Sequence, residues 1–229
     1  MVSILLPSYN GSKYIRESVV SILNQTFTDF ELLIGFNGTT DTSKEIVYKI
    51  MNDIKDPDLI ESINSKVRVI DYVDDKGKAK TLNKLLQEAK YNLIALQDDD
   101  DLWHSDKLQI QMNFIDNFDV VGTFLNYIDH NGLIIKKLNL QQEDSGIKYW
   151  SLERGINNVA NTSALFKKSI AEEIGGWRED IDGIEDFDFW IRLMKQGNSF
   201  FNVPEYLLYH RIHNESNFNT KKQDISKIL

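Results

Sequence analysis

Short apolar runs at residues 2–6, 30–34, 67–72, 92–96 and 120–125 alternate with segments at 13–24, 42–54, 79–90 and 105–118. In 79–90 the apolar residues Leu82, Leu85, Leu86 and Ala89 recur at helical spacing. Thr42 followed by Glu45 predicts a capping box at the start of the second helical segment. Strands alternating with helices of this length predict βαβ units and a mostly parallel sheet covered on both faces.

The second half has a different pattern. Residues 120–129 and 133–137 flank Asn131-Gly132 and predict a hairpin. A further strand is expected at 161–167, and helices at 169–174 and 185–196, each closed by a glycine, Gly175 or Gly197. Two short terminal strands are expected at 200–203 and 206–212. The chain from Asn214 onward is polar and aperiodic, expected to be a flexible tail or a lid. The expectation is a single α/β domain over residues 1–229. Residues 1–103 form a nucleotide-binding-like half, 104–213 a more antiparallel half, and 214–229 the tail.

Composition narrows the function classes. The 229 residues include no cysteine, which excludes a disulfide scaffold, a thiolate zinc site and a cysteine nucleophile. A net charge of −9 without a basic stripe argues against a nucleic-acid polymer as partner. A small phosphorylated ligand remains compatible if a metal ion supplies positive charge. No apolar run approaches the ~20 residues of a membrane span, which leaves peripheral association open. The N-terminus reads as a strand rather than a signal peptide, so a cytoplasmic location is expected.

The tetrad Asp98-Asp99-Asp100-Asp101 follows a predicted central strand, at the edge where open α/β sheets bind ligands. Four adjacent like charges repel, and gathering them in a cleft calls for a cation. Asp98 and Asp100 alternate along the turn and suit Mn²⁺ or Mg²⁺ as hard oxygen ligands. A solvated acidic turn is the bland alternative. A calcium EF-hand is excluded, because Leu102 and Trp103 occupy ligand and turn positions. Pro7-Ser8-Tyr9-Asn10-Gly11 and Asn37-Gly38-Thr39-Thr40-Asp41 follow two other strands and so converge on the same edge. Asp180, Asp182, Glu185, Asp186 and Asp188 surround the start of a helix, either as dipole partners or with one of them a general base. His210 and His213 stand as structural residues or as contacts to a metal or phosphate.

In order, VSILLPSYN, LNQTF, ELLIGFNGTTDTS, KGKAKTLNKLLQEAKYNLIALQDDDDLW and IGGWRED with IEDFDFWIRLMKQG resemble the motif blocks of the family 2 glycosyltransferases. The resemblance extends nearly the whole chain, to YHRIHNES, and implies an inverting, hexosyltransferase-type enzyme of GT-A fold. It puts Asp98 and Asp100 on the family's D-x-D positions, Asp98 toward the ribose or metal and Asp100 on the ion, with Asp99 beside them. Pro7, Tyr9 and Asn37 would line the nucleobase pocket. Asp186 falls on the catalytic base, and His213 on a C-terminal histidine near the metal or diphosphate. Trp190 and Arg192 would belong to the helix lining the acceptor side. Where the family has two acidic residues this chain has Phe36 and Asn37, whose amide can accept from uracil N3–H or pair differently, so a UDP-sugar is the donor by default only. The Q-x-x-R-W motif of processive synthases is absent, which favours transfer of one sugar to a glycan or glycolipid acceptor, in surface polysaccharide or glycoconjugate synthesis.

Two alternatives remain at this level. A sugar-1-phosphate nucleotidyltransferase would need a glycine-rich basic loop, which PSYNGSKY matches poorly, and a non-catalytic sugar-nucleotide-binding module is the other. A dehydrogenase and a P-loop kinase lack their glycine motifs.

Overall fold

A computed structural model describes residues 1–53, 65–73, 77–181, 183–214, 226 and 228. Asp182, the expected helix end at Ile54 and most of the tail after Asn214 lie outside the described residues.

The continuous apolar runs become strands buried on both faces, as parallel sheets demand. β1 (Val2–Ser8) and β2 (Phe30–Phe36) are buried throughout. With β3 (Val67–Asp71) and β4 (Leu93–Leu96) they pair in parallel in the order β3-β2-β1-β4. The helices α1 (Ile15–Leu23), α2 (Ser43–Asn52) and α3 (Lys78–Glu88) connect or flank them. In α3, Leu82, Leu85 and Leu86 point into the core as their spacing predicts. The chain leaves β1 toward β2 on one side, while β4 lies on the other. Their carboxyl ends therefore bound a topological switch point, where such sheets open a crevice.

Beyond β4 the pairing becomes mixed. β8 (Leu165–Lys167) is antiparallel to β4 and to β6 (Val120–Ile128). β6 runs parallel to β9 (Phe200–Arg211) and antiparallel to the edge strand β7 (Ile134–Leu138). The short β5 (Leu102–Trp103) closes the far edge against β9. Between these strands lie α4 (Lys107–Gln111), α5 (Asp144–Lys148), α6 (Lys168–Glu173) and α7 (Glu185–Lys195). No described helix is long and apolar enough to cross a membrane.

Several expectations are corrected. The two terminal strands are one, because exposed Pro204 and Glu205 bulge out of β9 without ending it. The strand expected at 161–167 begins with a 3₁₀ turn at Asn161–Ser163. The helix expected over 105–118 is only five residues, followed by turns such as Phe114 N–H to Gln111 C=O at 3.0 Å. α5 and the π-helical turn Tyr149–Glu153 were not expected. The Thr42–Glu45 capping box does not form. Asp41 takes its place, its Oδ1 accepting from Ser43 N–H (3.0 Å) and its Oδ2 from Ser12 N–H (2.9 Å). The hairpin forms, turning through an Asp129 C=O to Gly132 N–H bond (3.0 Å) with Gly132 at φ 86°.

Candidate active site

Three loops that follow β1, β2 and β4 meet at the switch point. Asn10, held at φ 55°, accepts a hydrogen bond from Thr40 N–H (2.9 Å), which ties the first loop to the second. The β1 loop reaches the acidic loop through Ser8, whose Oγ donates to Asp99 Oδ2 at 2.5 Å. Gly11 is required at this approach, since a Cβ there would collide with the Asp99 carboxylate. From below, Ser18 Oγ donates to Asp98 C=O (2.8 Å) and Gln97 Nε2 to Asp101 C=O (2.7 Å).

A cavity of about 630 Å³ opens here. Pro7, Tyr9 and Asn37 line it together with Asp98, Asp99, Asp100 and His213. Glu185 and Asp186 line it too, and Leu125, Tyr127, Leu138, Leu140 and Val159 form its apolar wall. The structure thus brings Pro7, Tyr9, Asn37, Asp98, Asp99, Asp100, Asp186 and His213 to one cavity.

The four adjacent aspartates have four different environments. Asp98 pairs with Lys78 Nζ at 2.6 Å, and Asp99 is the acceptor of Ser8. Asp100 Oδ2 lies 3.0 Å from His213 Nε2. Asp101 is fully buried, accepting from Thr162 Oγ1 (2.6 Å) and Arg211 N–H (2.8 Å), with His210 Nδ1 at 3.1 Å. Burial and the neighbouring aspartates raise the carboxyls of Asp98 and Asp99 above the ordinary range, outweighing Lys78 and, at Asp99, the Ser8 hydrogen bond. Burial also works against charge on Asp101, but His210 and the hydrogen bonds prevail and hold it below that range. Burial opposes the His210 cation as well, and Asp101 outweighs it, lifting the imidazole to about 9.

Oxygens of Asp98, Asp100 and Asp101 lie within 4.8 Å of one another. Asp101 is already committed on both oxygens, so Asp98, Asp100 and the adjoining His213 are the group suited to a hard divalent cation. Asp101 instead fixes β9 against the acidic loop. Arg211 completes that joint, with Nε on Asp100 C=O (2.9 Å) and Nη1 on His130 C=O (3.3 Å). Asp101→Ala is expected to cost about 3 kcal/mol or more, because Arg211 N–H is stranded and the His210 cation loses the Asp101 carboxylate. Urea unfolding should show the lower midpoint at unchanged m.

Sequence reading missed Lys78, at the start of α3. Burial disfavours its charge, but Asp98, Glu185 and Asp186 together hold it above the ordinary lysine range. It is the cation between the acidic loop and the start of α7. There both members of the Glu-Asp pair line the cavity, Glu185 accepting from Gly183 N–H (2.7 Å) and Asp186 from Phe187 N–H (2.7 Å). Burial and then Glu185 raise the Asp186 carboxyl, Lys78 lowers it, and it stands at about 6.

Other expectations change place. Phe36 is core, so only Asn37 of that pair faces the cavity; its buried Oδ1 has no partner among the described residues. Trp190 is fully buried, and Arg192 binds Asp188 (2.7 Å) and the carbonyls of Ile174 and Gly176. Both residues therefore anchor α7 and neither lines the cavity.

Comparison with known proteins places this geometry. The chain is 29% identical over 221 residues to the O-antigen biosynthesis glycosyltransferase WbnJ of Escherichia coli, covering 94% of this chain and 81% of that protein. Its fold resembles S. aureus TarS 1-349 in complex with UDP-GlcNAc, with a TM-score of 0.76 at 18% identity, covering 99% of this chain and 63% of that one. It also resembles the mannosyltransferase PcManGT of Pyrobaculum calidifontis in complex with GDP-Man and Mn²⁺, with a TM-score of 0.70 at 17% identity, covering 94% and 58%. The chain thus spans about 60% of the solved structures it resembles. The family described as Glycosyl transferase family 2 matches residues 3–175, a stretch that holds the acidic loop and stops short of Asp186 and His213. Three-quarters of the chain lies in that match, and with the mixed sheet and its crevice it establishes a glycosyltransferase of GT-A fold that belongs to glycosyl transferase family 2.

Proposed function

We propose that the cavity binds a nucleoside-diphosphate sugar, a UDP-sugar by default, and that the enzyme transfers one sugar to an acceptor hydroxyl with inversion, in surface polysaccharide or glycoconjugate synthesis. The observation that carries the reading is the meeting of the nucleobase-side loops, the Asp98–Asp100 carboxylates and Asp186 around one cavity. Tyr9 offers a half-exposed ring and Asn37 an unpartnered acceptor for the base. Asp98, Asp100 and His213 would hold Mn²⁺ or Mg²⁺, which when bound supplies positive charge at the diphosphate. Support for the cation comes from the donor set itself and from the Mn²⁺ in the PcManGT complex.

Asp186 accepts the proton of the acceptor hydroxyl as that oxygen attacks the anomeric carbon and the bond from that carbon to the nucleoside diphosphate breaks, releasing the diphosphate with its electron pair. Lys78 keeps Asp186 ionised at neutral pH and positions Asp98. The apolar wall from Leu125 to Val159 excludes water on the acceptor side.

A base at about 6 sets a pH profile. Below that value Asp186 is protonated and cannot accept; above it, the carboxylate is available. The expected kcat/KM therefore rises through about pH 6 to a plateau. Lys78→Met removes the neighbouring cation and should move the acid limb upward. A profile flat from pH 5 to 8, or a limb that Lys78→Met leaves in place, contradicts this assignment.

Product analysis with UDP-sugars and Mn²⁺ tests the reaction class: nucleoside diphosphate is expected. Pyrophosphate would indicate nucleotidyl transfer, and absence of turnover a binding module.

A further inference from the structure

The β6–β7 hairpin has two distinct parts. Its base belongs to the cavity: Leu125 and Leu138 are paired in register and both line the apolar wall, as does Tyr127. Its far end belongs to no core. Leu133, Ile134 and Ile135 are 67%, 52% and 57% exposed, three consecutive large apolar side chains at the turn and the start of the edge strand β7. Soluble surfaces rarely carry such a run without a partner. Lys136 and Lys137 follow directly, both exposed. Neither has an ion-pair partner among the described residues; Lys137 lies over the Tyr206 ring at 4.9 Å. Residues 133–142, LIIKKLNLQQ, contain two lysines and no carboxylate, in a chain of net charge −9. Asp129 sits at the turn, and its side chain is occupied by Asn131 N–H and Leu133 N–H. Glu205 lies across the groove that Ile134 and Lys137 line.

Exposed apolar side chains with adjacent exposed lysines match the chemistry of a bilayer interface, where the apolar groups enter the headgroup boundary and the ammonium groups meet anionic lipid. A second copy pairing along the free edge of β7 fits less well. Antiparallel pairing about a two-fold at the middle of β7 would set Lys136 against its own copy, a like-charge pair of the kind by which edge strands resist self-association.

We propose that the tip of the β6–β7 hairpin docks this chain on an anionic lipid bilayer, with Leu133, Ile134 and Ile135 inserted and Lys136 and Lys137 on the lipid phosphates. The acidic body repels the same surface, so contact is confined to the tip and the molecule is oriented. The wall from Leu138 to the tip then leads from the cavity to the membrane, and the acceptor is a glycan carried on a lipid. This acceptor assignment rests on the function proposed above; the docking itself does not.

The test is co-sedimentation of the full chain with vesicles of phosphatidylcholine alone and of phosphatidylcholine with phosphatidylglycerol, with light scattering of the free protein. Binding to the anionic vesicles is expected, and weaker binding by about tenfold or more to the neutral ones and by Lys136→Glu/Lys137→Glu. Leu133→Glu/Ile135→Glu should abolish binding. Both variants should keep the wild-type melting temperature and calorimetric affinity for UDP with Mn²⁺. Wild-type protein that ignores anionic vesicles, or variants that bind them as wild type does, would overturn the proposal. So would a dimer that Leu133→Glu/Ile135→Glu dissolves in a protein that ignores vesicles. UDP binding without vesicle binding defeats docking alone. Vesicle binding without UDP binding leaves docking standing and defeats the donor site.

Discussion

Asp186→Asn is expected to lower turnover by about 10²–10⁴-fold while the protein remains folded and binds nucleotide as before. Asparagine keeps the oxygen that accepts from Phe187 N–H (2.7 Å) and loses only the capacity to take a proton. The sign of the stability effect also follows from the structure. The Asp186 carboxyl is raised to about 6 in the fold, so the stability it contributes is present at low pH and lost as pH rises through that value. A neutral amide at the same place should therefore be no less stable at pH 7.5. Near-normal turnover in Asp186→Asn, measured by release of nucleoside diphosphate, would remove Asp186 from the role of base.

Asp100→Asn is expected to reduce kcat/KM by about 10²-fold or more and to abolish the response of activity to Mn²⁺. The loop should survive the change, because Asp100 is held through its backbone: its C=O accepts from Arg211 Nε and its neighbour Asp101 anchors β9. What is lost is a carboxylate oxygen beside His213 in the cavity. Asp101→Ala supplies the contrast, as its principal effect is on stability. If both substitutions destabilise equally and neither changes metal response, the division of labour within the tetrad is wrong.

The N-terminal half was legible because each of its elements obeys a single period. Runs buried on both faces gave β1, β2 and β4, and the leucine spacing gave α3. The second half depends on contacts distant in sequence. Pro204 and Glu205 suggest a break, and only pairing along β6 reveals one bulged strand. Site residues were legible where a loop follows a strand, since strand ends fix which loops converge. Lys78 was not, because its partner is 20 residues away and the start of α7 farther still. Four identical neighbouring residues likewise carry no sign that Asp101 is buried on Arg211 N–H while Asp100 faces the cavity. Trp190 and Arg192 show the converse. The resemblance puts both on the helix lining the acceptor side, and both lie on the helix that bears Asp186, yet the apolar period of α7 turns Trp190 inward and Asp188 draws Arg192 to the Gly176 turn.

The central claim is that the acidic loop holds a nucleoside diphosphate through a divalent cation. Calorimetric titration of the wild-type chain with UDP and with GDP, each with Mn²⁺ and again with excess EDTA, tests it most directly. The account predicts binding of at least one nucleotide with Mn²⁺, weakened about tenfold or more by EDTA. Equal affinity with and without the cation, or no binding of either nucleotide, would contradict it.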